Sequence, residues 1–275
     1  MSTPHSDEAA SPRSHPLTNP PDAAQTVVGQ RATHARYLVA ALLFIMVVVN
    51  YLDRANLSIA MPGLIKEFDL STAQQGLLLS AFGWTYAAMQ IPGGWIVDHV
   101  KPRVLYPICL ILWSLSTGFM GIAGGFTTLI VCRLLMGVFE APAYPINNRV
   151  VTGWFPDRER ATAIGVYTAG QYIGLGILTP VLSWIMTDYG WQELFFVTCV
   201  LGVIVALLWY TLYRNPRESR RANQAELDEI SAGGAVIDMG TDATDKKGFN
   251  WADLRDVVSS RKLWAVYIGQ FCGSS

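Results

Sequence analysis

The sequence predicts an all-α integral membrane protein with a bundle of six transmembrane helices. Two features of composition and one of pattern lead there. Of the 275 residues, 51% are hydrophobic and only 15% charged, whereas soluble domains carry about 25% charged residues. Apolar runs of the roughly 20 residues needed to cross a bilayer recur six times along the chain. None of them alternates as a barrel strand would. In lipid, a lone segment must satisfy its backbone hydrogen bonds internally, so each run is read as a helix.

Residues 1–36 are rich in Pro, Ser, Thr and His and have no apolar core, which predicts a disordered cytoplasmic tail. The first apolar stretch begins too late for a cleavable signal peptide. The first span is expected from Tyr37 to Met61 and the second from Gln75 to Val97, opened by a capping box over Ser71–Gln74. The third runs from Val104 to Gly124, the fourth from Phe126 to Asn147, the fifth from Ala161 to Thr187 and the sixth from Glu193 to Tyr213. The six-helix bundle thus occupies residues 37–213. A cytoplasmic linker is expected over 214–262, with a short amphipathic helix near Ala225–Ile230. Residues 263–275 read as the start of a seventh span, because only 13 residues follow Lys262.

Lysine and arginine set the expected orientation. With the N-terminus inside, the loops after the first, third and fifth spans face out and contain only Lys66. Lys101, Arg103, Arg149, Arg158 and Arg160 fall in short loops on the opposite side. The positive-inside rule therefore places the N-terminus in the cytoplasm, in an inner (plasma) membrane protein that crosses several times.

Several function classes are disfavoured. A net charge of −1 gives no basic footprint for nucleic acid. Cys109, Cys132, Cys199 and Cys272 lie in apolar runs without zinc or disulfide spacing, and His5, His15, His34 and His99 lie outside the long runs. No nucleophile–base set or metal cluster is evident near the midplane, so no enzyme and no cofactor is expected.

The informative residues are ionisable groups inside the spans, which cost about 2.5–3.5 kcal/mol each on insertion scales and generally face a cavity or a partner. Asp53 and Arg54 lie in the first span, Arg133 and Glu140 in the fourth. Arg133 and Glu140 are two helical turns apart and share a face. The four charges sum to zero, and such a network requires the first and fourth helices to meet. A carboxylate solute pairing with Arg54 adds a net negative charge and favours proton uptake by Asp53 or Glu140. By linkage, protonation favours the anion. Proton-coupled anion transport follows, with the proton as coupling ion. Two structural salt bridges are the alternative. Tyr51, Tyr86 and Gln171 offer hydrogen-bonding groups suited to a hydroxylated solute, or they bridge helices. Asn50, Asn147 and Asn148 are weaker candidates. Gly170-x-x-x-Gly174 has the spacing of a close helix contact, and Pro92, Pro142 and Pro145 offer bending points.

Several motifs carry a resemblance. The loop after the second span, Gly94-Trp-Ile-Val-Asp98-His-Val-Lys101-Pro-Arg103, is similar to the G-x-x-x-D-x-x-G-R-R-like motif of the major facilitator superfamily. Lys101 replaces the expected loop glycine and His99 a basic residue. The stretches Asn50-Tyr-Leu-Asp-Arg-Ala-Asn56, Arg133-Leu-Leu-Met-Gly137-Val-Phe-Glu140-Ala-Pro142 and Trp154-Phe-Pro156 with Glu159-Arg160 resemble the anion:cation symporter family. Within it the likeness is to proton-coupled galactonate, glucarate and hexuronate carriers. The resemblance implies that Asp53 and Glu140 take up protons, with Arg133 pairing alternately with each. It implies that Arg54 holds the substrate carboxylate and that Tyr51, Tyr86 and Gln171 line a sugar-acid pocket. It also implies a partner: a further six-helix C-terminal half, with substrate held between the halves. A truncated or sensor-like membrane protein without transport is the alternative function.

Overall fold

The computed structural model describes residues 31–239 together with Ser259 and Trp264. The expected tail up to residue 30, the later linker and, apart from Trp264, the seventh span lie outside the described residues. Among the described residues the order is α1 (Ala35–Phe68), α2 (Thr72–His99), α3 (Pro102–Met120), α4 (Phe126–Glu140), α5 (Ala143–Trp154), α6 (Asp157–Tyr189), α7 (Trp191–Leu212), a 3-10 turn (Pro216–Glu218) and α8 (Gln224–Ala232).

Most helices outrun their apolar stretches, since polar flanks continue the helix into the interface. α1 covers 34 residues and stops at Asp69, whose φ of 48° is left-handed. The Ser71 hydroxyl accepts from the Gln74 amide while the Gln74 side chain accepts from the Ser71 amide, so the predicted capping box opens α2. Among the described residues, five stretches rather than six are apolar enough to be membrane spans by length and composition. α2 has the length, at 28 residues, but Gln74, Gln75, Ser80, Tyr86 and Gln90 dilute its apolarity.

The fourth span is not one regular helix. α4 ends at Glu140 and α5 begins at Ala143. Pro142 and Pro145 have no N–H, so the carbonyls of Val138 and Ala141 lose their helical donors. Ala141 nevertheless keeps right-handed angles (φ −53°, ψ −37°), and the stretch Phe126–Trp154 continues as a single path through the bundle. On α2, the Cα of Gly93 faces the ring of Pro142.

α1 packs mainly on α6 and α7, α3 on α7 and α4, and α2 on α4. Small residues allow the closest approaches. A Cβ at Gly170 or Gly174 would lie 2.8 Å from the Phe44 carbonyl or 2.9 Å from the Val48 carbonyl of α1. The predicted small-residue pair is therefore the α6 face that meets α1. At Gly137 a Cβ would collide with Thr85 Oγ1 and the backbone of Phe82 and Tyr86. The Thr85 hydroxyl donates to the Leu134 carbonyl at 2.8 Å across the same α2–α4 seam.

The expected linker is, over its described part, packed onto the bundle. Buried Glu226 of α8 accepts from the amides of Ala35 and Arg36, both at 3.1 Å. It thereby caps the first turn of α1 from 190 residues away in sequence. Arg36 pairs with Glu159 at 3.2 Å and Glu229 at 3.0 Å. The segment then lies along the start of α6, with Asp157 N donating to Gly233 O at 2.8 Å and Val236 N to Thr152 O at 3.0 Å. The predicted short amphipathic helix exists, two residues longer at its C-terminal end.

Candidate functional site

The two adjacent charges on α1 diverge by about 100° and serve different partners. Asp53 is fully buried and accepts from Trp113 Nε1 on α3 at 3.0 Å and from Asn56 Nδ2 at 3.3 Å. The same Asn56 amide donates to Thr198 Oγ1 of α7 at 2.7 Å. Asp53 is thus held in a polar node where α1, α3 and α7 meet.

Arg54 points the other way. Its Nε donates to Glu140 Oε1 at 2.5 Å, joining α1 to the last residue of α4. The guanidinium carbon lies 5.0 Å from the centroids of Tyr51 and Phe82 and 4.8 Å from that of Tyr86. Three aromatic faces around one cation supply quadrupole attraction where water is scarce. Glu140 is fully buried while the Arg54 side chain is 24% exposed, so the pair is open from the arginine side only. Among the described residues, Glu140 Oε2, Arg54 Nη2 and the two polar atoms of the buried Asn50 amide make no hydrogen bond of ordinary geometry, although Asn50 lies near enough to Glu140 to interact with its carboxylate.

In this structure Arg133 turns toward α2. It shares α4 with Glu140, but two turns of helix separate their backbones by about 10 Å. Glu140 is taken instead by Arg54 from the facing helix. Arg133 donates through Nε to the Leu78 carbonyl at 3.4 Å and through Nη1 to Met136 Sδ at 3.5 Å. Its guanidinium sits 5.1 Å from the centroid of Phe82, the ring that Arg54 also approaches. Among the described residues no carboxylate lies within ion-pair distance of it. Asp53, Glu140, Arg54 and Arg133 nevertheless interact electrostatically across the bundle interior.

Tyr51 and Tyr86 therefore line the Arg54 pocket. Gln171 is half-buried on α6, one residue from the Gly170 contact with α1, and makes no hydrogen bond to the other site residues. Tyr144 of α5, which no charge or spacing singled out, donates its hydroxyl to Tyr51 at 3.2 Å. Trp113, Asn56, Thr198 and Phe82 were also illegible as site residues, because neutral polar and aromatic side chains are common in apolar helices.

The cluster around Arg54 is built from α1, α2, the end of α4 and α5. Arg54, Tyr51, Phe82, Tyr86 and Tyr144 are all only partly buried. α2 buries only Leu78, Ala81, Gly93 and Val97, leaving a long face of that helix uncovered.

The Major Facilitator Superfamily profile matches residues 43–275. The chain belongs to that superfamily. It is 45% identical over 242 residues to a D-galactonate transporter of Escherichia coli, covering 87% of this chain and 56% of that protein. It is 36% identical over 252 residues to a second Escherichia coli protein whose name carries galactarate/D-glucarate transport, covering 88% of this chain and 56% of that one. The chain spans about half the length of these relatives. Among solved structures it resembles a bacterial homologue of the human lysosomal transporter Spinster in an inward-facing, unoccupied conformation. That match has a TM-score of 0.62 and 25% identity, over 88% of this chain and 52% of that one. The superfamily and the apolar helices make this a multi-pass membrane protein.

Proposed function

We propose that this chain supplies the N-terminal six-helix half of a proton-coupled importer of small sugar acids of galactonate, glucarate or hexuronate chemistry. The observation that carries the proposal is the ion pair between half-open Arg54 and sealed Glu140 within an aromatic box. A solute carboxylate arriving from the open side competes with Glu140 for the same guanidinium. Glu140, deprived of its cation and without exposed surface, then takes up a proton. Release of the proton restores the internal pair and expels the anion, so the two binding events are linked. Asp53, buried beside Trp113, is the second protonation site, and Arg133 is the cation that senses both carboxylates. Tyr51, Tyr86 and Gln171 contact the hydroxylated chain of the solute. The names of the galactonate and galactarate/D-glucarate relatives support this solute class.

The uncovered face of α2 is one on which a second six-helix half would close over the solute. The excess of cationic residues on one side supports a cytoplasmic N-terminus in the inner (plasma) membrane. Uptake of labelled galactonate and glucarate into vesicles holding the full-length transporter, with and without an inward proton gradient, tests the proposal. Gradient-dependent accumulation is expected. Binding without accumulation would instead support a ligand-sensing membrane protein.

A further inference from the structure

At the end of the bundle where α3 begins and α7 finishes, a cavity of about 560 Å³ is lined by Arg103, Thr211, Arg214, Glu218, Arg220 and Arg221 among others. Four guanidiniums and a single carboxylate border it. That carboxylate, Glu218, is already paired with Lys101 at 2.6 Å. Arg214 is held in place by the carbonyls that end α7, donating to Tyr210 O at 2.9 Å and Tyr213 O at 2.8 Å. Arg103 stacks its guanidinium 5.1 Å from the Tyr210 ring, and its buried Nε has no hydrogen-bond partner among the described residues. Among the described residues no acid lies within ion-pair distance of Arg103, Arg214, Arg220 or Arg221. Among the described residues, the cavity is thus bordered by more positive charge than is neutralised there, which suits an anion.

What lies beside it identifies the kind of anion. From Arg103, α3 presents exposed Val104, Ile108 and Leu112, one above another at four-residue spacing. α7, packed on α3, presents exposed Leu207, Ile204 and Val200 over the same depth. Eight residues of helix extend about 12 Å, close to half the hydrocarbon thickness of a bilayer. A free phosphate or a soluble metabolite would use the arginines and leave this apolar seam idle. We propose that the cavity is a binding site for the headgroup of an anionic phospholipid. Its phosphate is held by Arg103, Arg220 and Arg221, and its acyl chains lie along the α3–α7 seam. The site is remote from Arg54 and Glu140 and uses none of the residues assigned to transport. The inference rests on the bundle standing in a membrane and not on what it carries.

The test is a titration of the chain, purified in neutral detergent, with phosphatidylglycerol. Thermal unfolding and native mass spectrometry read binding, phosphatidylcholine is the zwitterionic comparator and inorganic phosphate the competitor. Phosphatidylglycerol is expected to remain bound and to raise the unfolding temperature, while phosphatidylcholine does neither. Arg220→Gln and Arg221→Gln, on the exposed turn beyond α7, are expected to weaken binding about fivefold each, the factor carried by one cationic side chain near a membrane surface. Equal retention of the two lipids by the unaltered chain overturns the proposal without recourse to a variant. So does parent-like affinity in the double variant, with helicity by circular dichroism intact. Displacement of the lipid by millimolar inorganic phosphate also overturns it, because the site would then be one for small anions.

Discussion

Arg54 and Glu140, 86 residues apart in sequence, form a 2.5 Å ion pair that joins the first membrane helix to the end of the fourth. One partner can be reached from the open side of the bundle and the other cannot. On the proposed reading, that asymmetry is what lets an incoming anion exchange with an internal one. It also makes the pair sensitive to loss of either member.

Arg54→Ala is expected to destabilise the protein by about 3–5 kcal/mol, because it leaves a buried carboxylate without its cation. Arg54→Ala combined with Glu140→Gln should recover much of that loss. Thermal unfolding of the single and double variants in detergent checks this. An additive double variant would show that the pair contributes nothing as a unit.

Asp53→Asn retains the hydrogen bond from Trp113 but cannot exchange a proton. In the full-length transporter it is expected to abolish accumulation driven by a pH gradient while leaving solute binding in place. Arg54→Lys, by contrast, should weaken binding, since an ammonium lacks the planar fork that pairs with a carboxylate. Counterflow and gradient-driven uptake measured side by side separate the two effects. Normal pH-driven uptake by Asp53→Asn would remove Asp53 from the coupling scheme.

Gly137→Ala is expected to cost about 1–3 kcal/mol through overpacking against the α2 backbone. Gly165→Ala, with nothing within 4 Å of the added methyl, should be neutral or slightly stabilising. Unfolding midpoints of the two variants provide the comparison. Adding Thr85→Ala to Gly137→Ala should give only partial relief, since the carbonyl of Phe82 also obstructs the methyl.

Glu226→Ala removes the acceptor that caps the first turn of α1 and should cost about 0.5–2 kcal/mol. Faster amide exchange at Ala35 and Arg36 is the specific signature, together with protease cleavage within 224–239. Unchanged exchange at these two amides would show that the cap does not hold the helix end.

The membrane architecture and the four intramembrane charges were legible because both are costs that a chain cannot hide: apolar length and buried ionisation. Which charge meets which was not. Sequence spacing puts Arg133 and Glu140 on one face, but a same-face relation over two turns loses to a neighbour from the opposite helix, and Arg54 is that neighbour. The interruption at Ala141–Pro142 falls at the two prolines that the sequence offered as bending points. The folded part of the linker was hidden for the opposite reason. Glu226 and Glu229 read as the wet side of a short amphipathic helix, and only the end of α1 makes them contact residues.

The missing rungs after Glu140 give the fourth path through the membrane a soft point directly beyond its ionised end. α5 has 12 residues beyond that point and is about 18 Å long, so turning it by ten degrees swings its far tip roughly 3 Å. Neutralising one carboxylate at the fulcrum can therefore be felt as displacement at Trp154, where the arm ends against the returning chain at Arg214. On the proposed coupling scheme, a proton taken up at a single oxygen would be geared up into movement at the far end of that arm.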